Sequence, residues 1–177
     1  PKWGNNDDRA DAIARRVVAS LTRRVNNEPN GHGGTFQVGL WSINNDRVLG
    51  RFTGATPDGR RAKELVSRNN SATAGCGKEG ATALMLSNVK IDPAEVPDGH
   101  IVDIILPASA KGDGGGAERI AAVLEAFARL GGQAIHMNVF NSATLRDAQR
   151  HPEKYEDLQV RVCGWNVRWN DISKPEQ

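Results

Sequence analysis

The chain has 177 residues, of which 38% are hydrophobic and 25% charged, as expected for one globular unit that buries roughly 70% of its unfolded surface. Its 23 Lys and Arg against 21 Asp and Glu leave a net charge of +2, too small and too scattered to indicate a nucleic-acid or anionic-membrane partner. We expect neither a signal peptide nor a membrane span, because no apolar run is long enough to cross a bilayer.

The first half of the chain predicts two helices and a hairpin. Apolar residues recur at helical spacing over residues 8–25, with acidic residues at the favourable N-terminal end. Two short runs, residues 35–43 and 47–52, flank Asn44-Asn45-Asp46 in a hairpin-like layout. The segment GATPDGRRA that follows predicts a loop, and GATALMLSNVK (residues 80–90) predicts a short, largely buried helix.

The second half predicts alternating strands and helices. HIVDIILP and AIHMNVF are strand candidates, and between them AERIAAVLEAFARL forms an apolar helical face that ends at Gly131-Gly132. Asn141 or Ser142 can cap a further helix, which ends before Pro152, and LQVRVCGW is the last strand candidate. This alternation predicts an α/β fold.

The first residue and the cysteines give information on the origin of the chain and on its cellular compartment. Pro1 stands first without Met, which fits either removal of an initiator Met or excision from a longer polypeptide. Cys76 and Cys163 lack CxxC spacing, which favours reduced thiols in a cytoplasmic setting over a disulfide framework.

Candidate reactive groups give weak signals when they are taken one at a time. The glycine-rich segment KGDGGGAER lacks both GxGxxG and GK[ST], which favours a flexible helix start over an anion site. Either cysteine could be a nucleophile, although a lone buried cysteine is usually a small hydrophobe. The histidines show no metal-ligand spacing; they are His32, His100, His136 and His151. The tryptophans are dispersed along the sequence, which is more typical of packing residues than of a binding surface; they are Trp3, Trp41, Trp165 and Trp169. His136 alternates within a strand and is interpreted as a partnered structural histidine.

Gly164 interrupts the strand-like run VRVCGWNVRW. Glycine inside a strand has no side chain to pack and the most backbone entropy to lose, so it usually marks a bulge, a tight bend or a close backbone approach.

Five stretches in a fixed order carry a resemblance: PKWGNNDD, GATPDGRRA, GKEGATALMLSNVK, AIHMNVFNSATLRDAQRHPEKYEDLQVRVCGW and the final Q. They resemble successive C-terminal motifs of the glycyl radical enzymes, the pyruvate formate-lyase-like family, across nearly the whole chain. The most specific part is NxxTLRDAQxxPExYxDLxVRVCGW. This resemblance implies an α/β barrel of which the chain forms the C-terminal portion, with the radical glycine on a central loop. It divides residues 1–177 into the end of the barrel region (1–99, with the helix and hairpin) and the glycyl radical domain proper (100–177).

By position, the resemblance makes Gly164 the catalytic residue. The glycine of the family's RVxG[YW] loop becomes a stable backbone radical. Without a Cβ its α-carbon can flatten, and the unpaired electron is shared between the amide nitrogen and the carbonyl. The absence of a side chain also lets a thiol reach the α-hydrogen, so the close-approach interpretation becomes part of the mechanism.

Several positions depart from the family pattern. Trp165 and Trp169 stand where tyrosine and phenylalanine are common, and Ala72 stands where many relatives have proline after the serine. No GCxE-type stretch, which carries the family's thiyl-forming cysteine, occurs in the sequence. Neither Cys76 nor Cys163 matches that position, so we expect the chain alone to supply a radical store without a complete substrate pocket.

The resemblance implies the partners and the setting. The cofactor is the protein-derived glycyl radical itself, formed by a separate [4Fe-4S] enzyme that uses S-adenosylmethionine, and no bound cofactor or metal is expected. The remaining partners are the rest of the barrel with the thiyl cysteine and a small-molecule substrate, and a homodimer of the full enzyme is compatible with the resemblance. We expect a cytoplasmic enzyme of anaerobic conditions.

Three interpretations of the chain stay open. It is the radical segment of a lyase or dehydratase, a stand-alone spare-part subunit that repairs an oxygen-damaged enzyme, or a structural or anion-binding α/β module without a radical.

Overall fold

The fold is mixed α/β. A computed structural model describes residues 1–42, 45–107, 116–162 and 164–172, together with residues 174 and 177. Its helices and strands, in chain order, are α1 (Asp8–Val25), α2 (Asp46–Phe52), α3 (Gly80–Asn88), β1 (Ile101–Pro107), α4 (Gly116–Arg129), β2 (Ala134–Phe140), α5 (Ser142–Arg150), β3 (Gln159–Val162) and β4 (Trp165–Arg168). Short 3₁₀ turns lie at Pro93–Glu95, Pro152–Lys154 and Trp169–Asp171.

The first helix, α1, confirms the prediction from periodicity. Asp7 caps it by accepting a hydrogen bond from the Arg9 backbone N–H at 3.0 Å, which satisfies one of the free donors of the first turn. Val18 packs into a small core with Val38, Ile91 and Val96. Three apolar side chains on another face of α1 are exposed instead, namely Ile13, Val17 and Leu21.

The predicted hairpin is wrong, because residues 46–52 form the helix α2. The run before it forms isolated bridges, Pro29 with Thr35 and Leu40 with His100, and Asn44 lies outside the described residues. Tertiary contacts explain the helix: the buried Asp46 pairs with Arg68 at 3.2 Å. On the same helix, a Cβ on Gly50 would collide with the chain passing at residues 64–65.

The central sheet contains β1 and β2, which are parallel and in a register that pairs Asp103 with His136. The strands predicted at 100–107 and 134–140 are confirmed, as is the helix predicted at 117–130, which forms α4 between them. Asn141 is the cap of α5, where it accepts from the Ala143 backbone N–H at 2.9 Å. The short helix predicted at 80–90 is confirmed as α3.

The two faces of this sheet have different chemistry because side chains alternate along each strand. One face is apolar: Val102 and Ile104 are buried in a core with Met85 of α3 and Phe127 of α4. Further residues packed on this core include Leu106, Val123, Ile135 and Met137. The opposite face carries Asp103 and Ile105 of β1 and His136 and Asn138 of β2.

The last predicted strand, LQVRVCGW, is also corrected. It divides into β3 and β4, which pair antiparallel from Gln159 with Arg168 to Val162 with Trp165. Gly164 therefore lies in the connection between the two strands of a hairpin. Gly164 thus marks a tight bend between two strands and not a bulge within one.

The division of the chain into residues 1–99 and 100–177 stays a prediction. Among the described residues, no helix combines the length and the hydropathy that a membrane span requires.

Candidate functional site

The hairpin of β3 and β4 places Gly164 at the end of a two-stranded ribbon. Gly164 has φ +86°, in the left-handed region that costs an L-residue about 1–2 kcal/mol. Space alone would permit a side chain, because a Cβ would meet its nearest described atom at 3.7 Å, an ordinary van der Waals distance. The backbone conformation is therefore what favours glycine here. Cys163, beside it in the sequence, lies outside the described residues.

An apolar core anchors the base of the hairpin. Val160 of β3 is buried with Ala148 of α5 and with Trp169, which follows β4. Partly buried residues surround these three, among them Phe140, Leu145, Tyr155, Leu158, Val162 and Ile172. The hairpin is thus fixed to α5 at one end and carries Gly164 at the other.

A contact between α5 and the chain that follows it adds to this anchor. The Tyr155 hydroxyl donates to Asp147 Oδ2 at 2.8 Å. This hydrogen bond lowers the pKa of Asp147 and raises the pKa of Tyr155, because it favours the carboxylate and the neutral phenol.

The imidazole of His136 faces Gly164. Its Nε2 and Cε1 atoms lie 3.7 and 3.8 Å from the position that a Cβ on Gly164 would take. On the other side of the ring, Nδ1 lies 3.0 Å from Asp103 Oδ1. This proximity follows from the β1–β2 register, since directly paired residues of neighbouring strands share one face of the sheet.

Asp103 is held by the loop that precedes α3. The Asn69 side-chain amide donates to Asp103 Oδ2 at 2.7 Å, and the Asp103 backbone N–H donates to Ser71 Oγ at 2.8 Å. Asn69 is fixed in turn by a reciprocal pair of backbone-to-side-chain bonds with Ser42. The sequence predicted that His136 is partnered in a strand, and the structure confirms it and gives Asp103 as the partner.

Asn138, two residues along β2 from His136, holds the hairpin backbone. Its side-chain amide donates to the Arg161 carbonyl at 3.0 Å, and its Oδ1 accepts from the Arg161 N–H at 2.9 Å. The Asn138 side chain thereby makes the two hydrogen bonds with β3 that the backbone of a neighbouring strand would make. Sequence analysis missed Asn69, Asp103 and Asn138, although the HxN spacing in AIHMNVF does place two polar side chains on one face of a strand.

The other candidate residues lie elsewhere or serve packing. Cys76 is half-buried and lines a cavity of about 390 Å³ with Lys2, Asp58 and Arg60. Residues 111–115 of the glycine-rich segment lie outside the described part of the chain. Of the tryptophans, Trp169 is buried and Trp3 donates to the Asn70 carbonyl at 2.9 Å, whereas Trp41 and Trp165 are exposed.

No described contact brings the remaining histidines close to Gly164. His100 is buried, which lowers its pKa because burial disfavours the charged imidazole. His32 is exposed in a loop, and His151 follows α5 within 4.0 Å of Asp147. Within the described ranges, no group of three or more His, Cys, Asp or Glu side chains is arranged to hold a metal ion.

Comparison with protein families identifies the class of domain to which the hairpin and the neighbouring sheet belong. A family model described as "Glycine radical" matches residues 66–170, and a second, "Pyruvate formate lyase-like", matches residues 1–50. The chain therefore belongs to the glycyl radical enzyme family, and its α/β fold is the C-terminal portion of that family's barrel.

Relatives with known activities are similar over the whole chain. Indoleacetate decarboxylase of Tractidigestivibacter scatoligenes is 35% identical over 100% of this chain and 20% of the relative. Trans-4-hydroxy-L-proline dehydratase of Clostridioides difficile is 30% identical over 100% of this chain and 22% of the relative. The chain thus spans about a fifth of the length of these relatives.

Solved structures agree with this assignment. The B12-independent glycerol dehydratase of Clostridium butyricum, in its glycerol-bound form, superposes with a TM-score of 0.91 at 33% identity. The match covers 98% of this chain and 22% of the dehydratase.

Proposed function

We propose that Gly164 stores a glycyl radical that generates a catalytic thiyl radical in a lyase or dehydratase of this family. The observation that carries the proposal is the position of Gly164: it lies in the family-like segment VRVCGW, inside the matched glycine radical region, at the turn of the hairpin. The positive φ of this residue supports it, because that backbone conformation favours glycine.

The chemistry requires two hydrogen-atom transfers. In activation, the Gly164 Cα–H bond breaks homolytically, the hydrogen atom leaves to a radical that the separate S-adenosylmethionine-dependent activating enzyme supplies, and one unpaired electron stays on Cα. In use, that Cα takes a hydrogen atom from a cysteine thiol, so that the S–H bond breaks, the Cα–H bond re-forms and a thiyl radical results.

The thiyl cysteine is proposed to lie outside this sequence, because no GCxE-type stretch occurs in it. The partners that follow from the proposal are a radical S-adenosylmethionine activating enzyme, the barrel portion that bears the cysteine, and a small-molecule substrate. The similarity to decarboxylases and dehydratases supports lyase chemistry as the reaction class.

Electron paramagnetic resonance tests the proposal. The full-length protein, activated anaerobically, should give a doublet from the one α-hydrogen that remains on the radical carbon, and glycine deuterated at Cα should collapse the doublet. Gly164→Ala should abolish the signal. The matched control is Gly59→Ala, since Gly59 also has a positive φ of +94° and open space around it and should leave the doublet intact.

Exposure to air gives a second measurement. Dioxygen adds to a carbon-centred backbone radical, so the activated protein should be cut at residue 164 and release a short peptide that begins near Trp165. An undiminished doublet in Gly164→Ala, or an intact chain after activated protein meets air, would contradict the assignment.

A further inference from the structure

The surroundings of Gly164 are defined on one side by a single side chain. Among the described residues, leaving out the chain neighbours of Gly164, only His136 places atoms within 4 Å of the Cβ position of this glycine, through its Nε2 and Cε1. The His136 side chain is 15% exposed. An imidazole edge therefore lies at ordinary contact distance from the position that a side chain on Gly164 would take.

The tautomer of His136 follows from its partner. Asp103 Oδ2 accepts from Asn69 at 2.7 Å, and Oδ1 lies 3.0 Å from His136 Nδ1. A carboxylate can only accept hydrogen bonds, so Nδ1 carries the proton. In the neutral imidazole, Nε2 then keeps its lone pair, and this atom lies 3.7 Å from the Cβ position of Gly164.

The hairpin is held to the same strand at a second point. Asn138 bonds both backbone groups of Arg161, and it shares a face of β2 with His136. One face of β2 thus holds the backbone of β3 through Asn138 and places His136 near Gly164, which follows β3 in the chain.

We infer that His136 is a positioning residue for Gly164, its imidazole held in one tautomer and one orientation by Asp103 and Asn69. This inference rests on the proposed function. Transfer of a hydrogen atom needs the two reacting atoms at near-contact distance, and a misplacement of about 1 Å can cost a factor of about 100 in rate. The ring of His136, 3.7 Å from the Cβ position of Gly164, would limit how far this turn can move toward the sheet.

The test measures the magnetic coupling between the glycyl radical and histidine nitrogen. Full-length protein labelled with [15N]imidazole histidine is activated anaerobically, and electron–nuclear double resonance is recorded on the doublet. The expected result is a dipolar coupling to a histidine nitrogen in the wild type, lost in His136→Gln. His151→Gln is the matched control, because His151 lies after α5 and its loss should leave the coupling unchanged.

A second variant tests the tautomer and keeps the ring in place. In Asp103→Asn the side-chain amide can donate to Nδ1, which would move the imidazole proton to Nε2. In protein with unlabelled histidine, the 14N quadrupole coupling of the imidazole nitrogen beside the radical should then change from that of a pyridine-type nitrogen to that of a pyrrole-type nitrogen. This change would show that Asp103 sets the tautomer of the ring that lies beside Gly164.

The outcomes separate the inference from the proposed function. A Gly164 radical without histidine coupling in the wild type, or with coupling that persists in His136→Gln, overturns the role of His136 and leaves the function standing. A wild type that forms no radical, or a radical that survives Gly164→Ala, overturns the function and the inference with it. If His136→Gln fails to fold, the wild-type spectrum and the Asp103→Asn spectrum still decide.

Discussion

Residues 26–66 and residues 101–172 differ in how they hold their apolar side chains. In the first region Phe36, Trp41, Val48, Leu49 and Phe52 are all about half exposed or more, with Phe52 at 83%. In the second region Val102, Ile104, Phe127, Val160 and Trp169 are at most 6% exposed, although Ile105 and Trp165 are 70% and 74% exposed. Val38 is the exception in the first region, since it is 6% exposed and packs on Val18 of α1. Polar contacts hold much of the rest of the first region, such as the Asp46–Arg68 pair and the bonds from the Arg60 guanidinium to the Gly54, Arg61 and Glu64 carbonyls.

The difference shows that the part of the chain with the hairpin carries its own core. Apolar side chains from β1, α4, β3 and the turn after β4 are buried within the chain, whereas those of α2 face outward. The hairpin that carries Gly164 is therefore anchored by residues of this same chain. Substitutions in the two regions should lower the free energy of unfolding by different amounts.

The largest expected effect is that of Trp169→Ala. Trp169 is 5% exposed, and truncating a buried Trp or Phe typically costs about 3–5 kcal/mol in the free energy of unfolding. Phe52→Ala is the control from the other region, and at 83% exposure it should change stability by no more than about 0.5 kcal/mol. Urea unfolding of each variant measures both, and equal losses would show that the two regions are packed alike.

Arg68→Ala should have a smaller but clear effect on the first region. It removes the partner of the Asp46 carboxylate, which is 5% exposed, whereas the Arg68 side chain is 40% exposed. A buried polar group left without its partner costs about 1–3 kcal/mol, and the exposure of Arg68 places the expected loss near the lower end of that range.

The control for Arg68 is the double variant. In an Asp46→Asn background no buried charge remains at position 46. Arg68→Ala should therefore lower the free energy of unfolding less there than in the wild type. Equal costs in both backgrounds would mean that the pair does not hold α2 in place.

The contrast between the two regions also accounts for what the sequence could predict. The helix at 8–25 was predicted with its observed bounds because its apolar spacing and its acidic N-terminal end are local signals. The helix at 46–52 was predicted as a strand, because it depends on Arg68 and on the chain at residues 64–65, neither of which lies within the short run that was interpreted. Local periodicity fails where distant residues decide the structure.

The candidate site likewise contains features that could be predicted from the sequence and features that could not. Gly164 could be singled out from its segment alone, and the alternation of AIHMNVF predicted the strand that carries His136. The contact between Asp103 and His136 could not be predicted, because it depends on the parallel register of two strands that are separated by the whole of α4. Two predicted strands do not specify their register, and a shift of one residue would turn His136 to the apolar face.

The smallest expected effect concerns the Tyr155–Asp147 contact at the base of the hairpin. The Tyr155 hydroxyl is the main cause that lowers the pKa of Asp147 below 3.8 in the folded protein, so Tyr155→Phe should raise this pKa. A carboxyl with a depressed folded pKa adds stability above its unfolded pKa and loses it as the pH falls through the folded pKa. The stability advantage of the wild type over Tyr155→Phe should therefore be present at neutral pH and shrink in strongly acidic solution. Carboxyl chemical shifts of Asp147 across a pH titration of both proteins measure the pKa, and an unchanged value in Tyr155→Phe would show that the hydroxyl does not stabilise the carboxylate at this anchor.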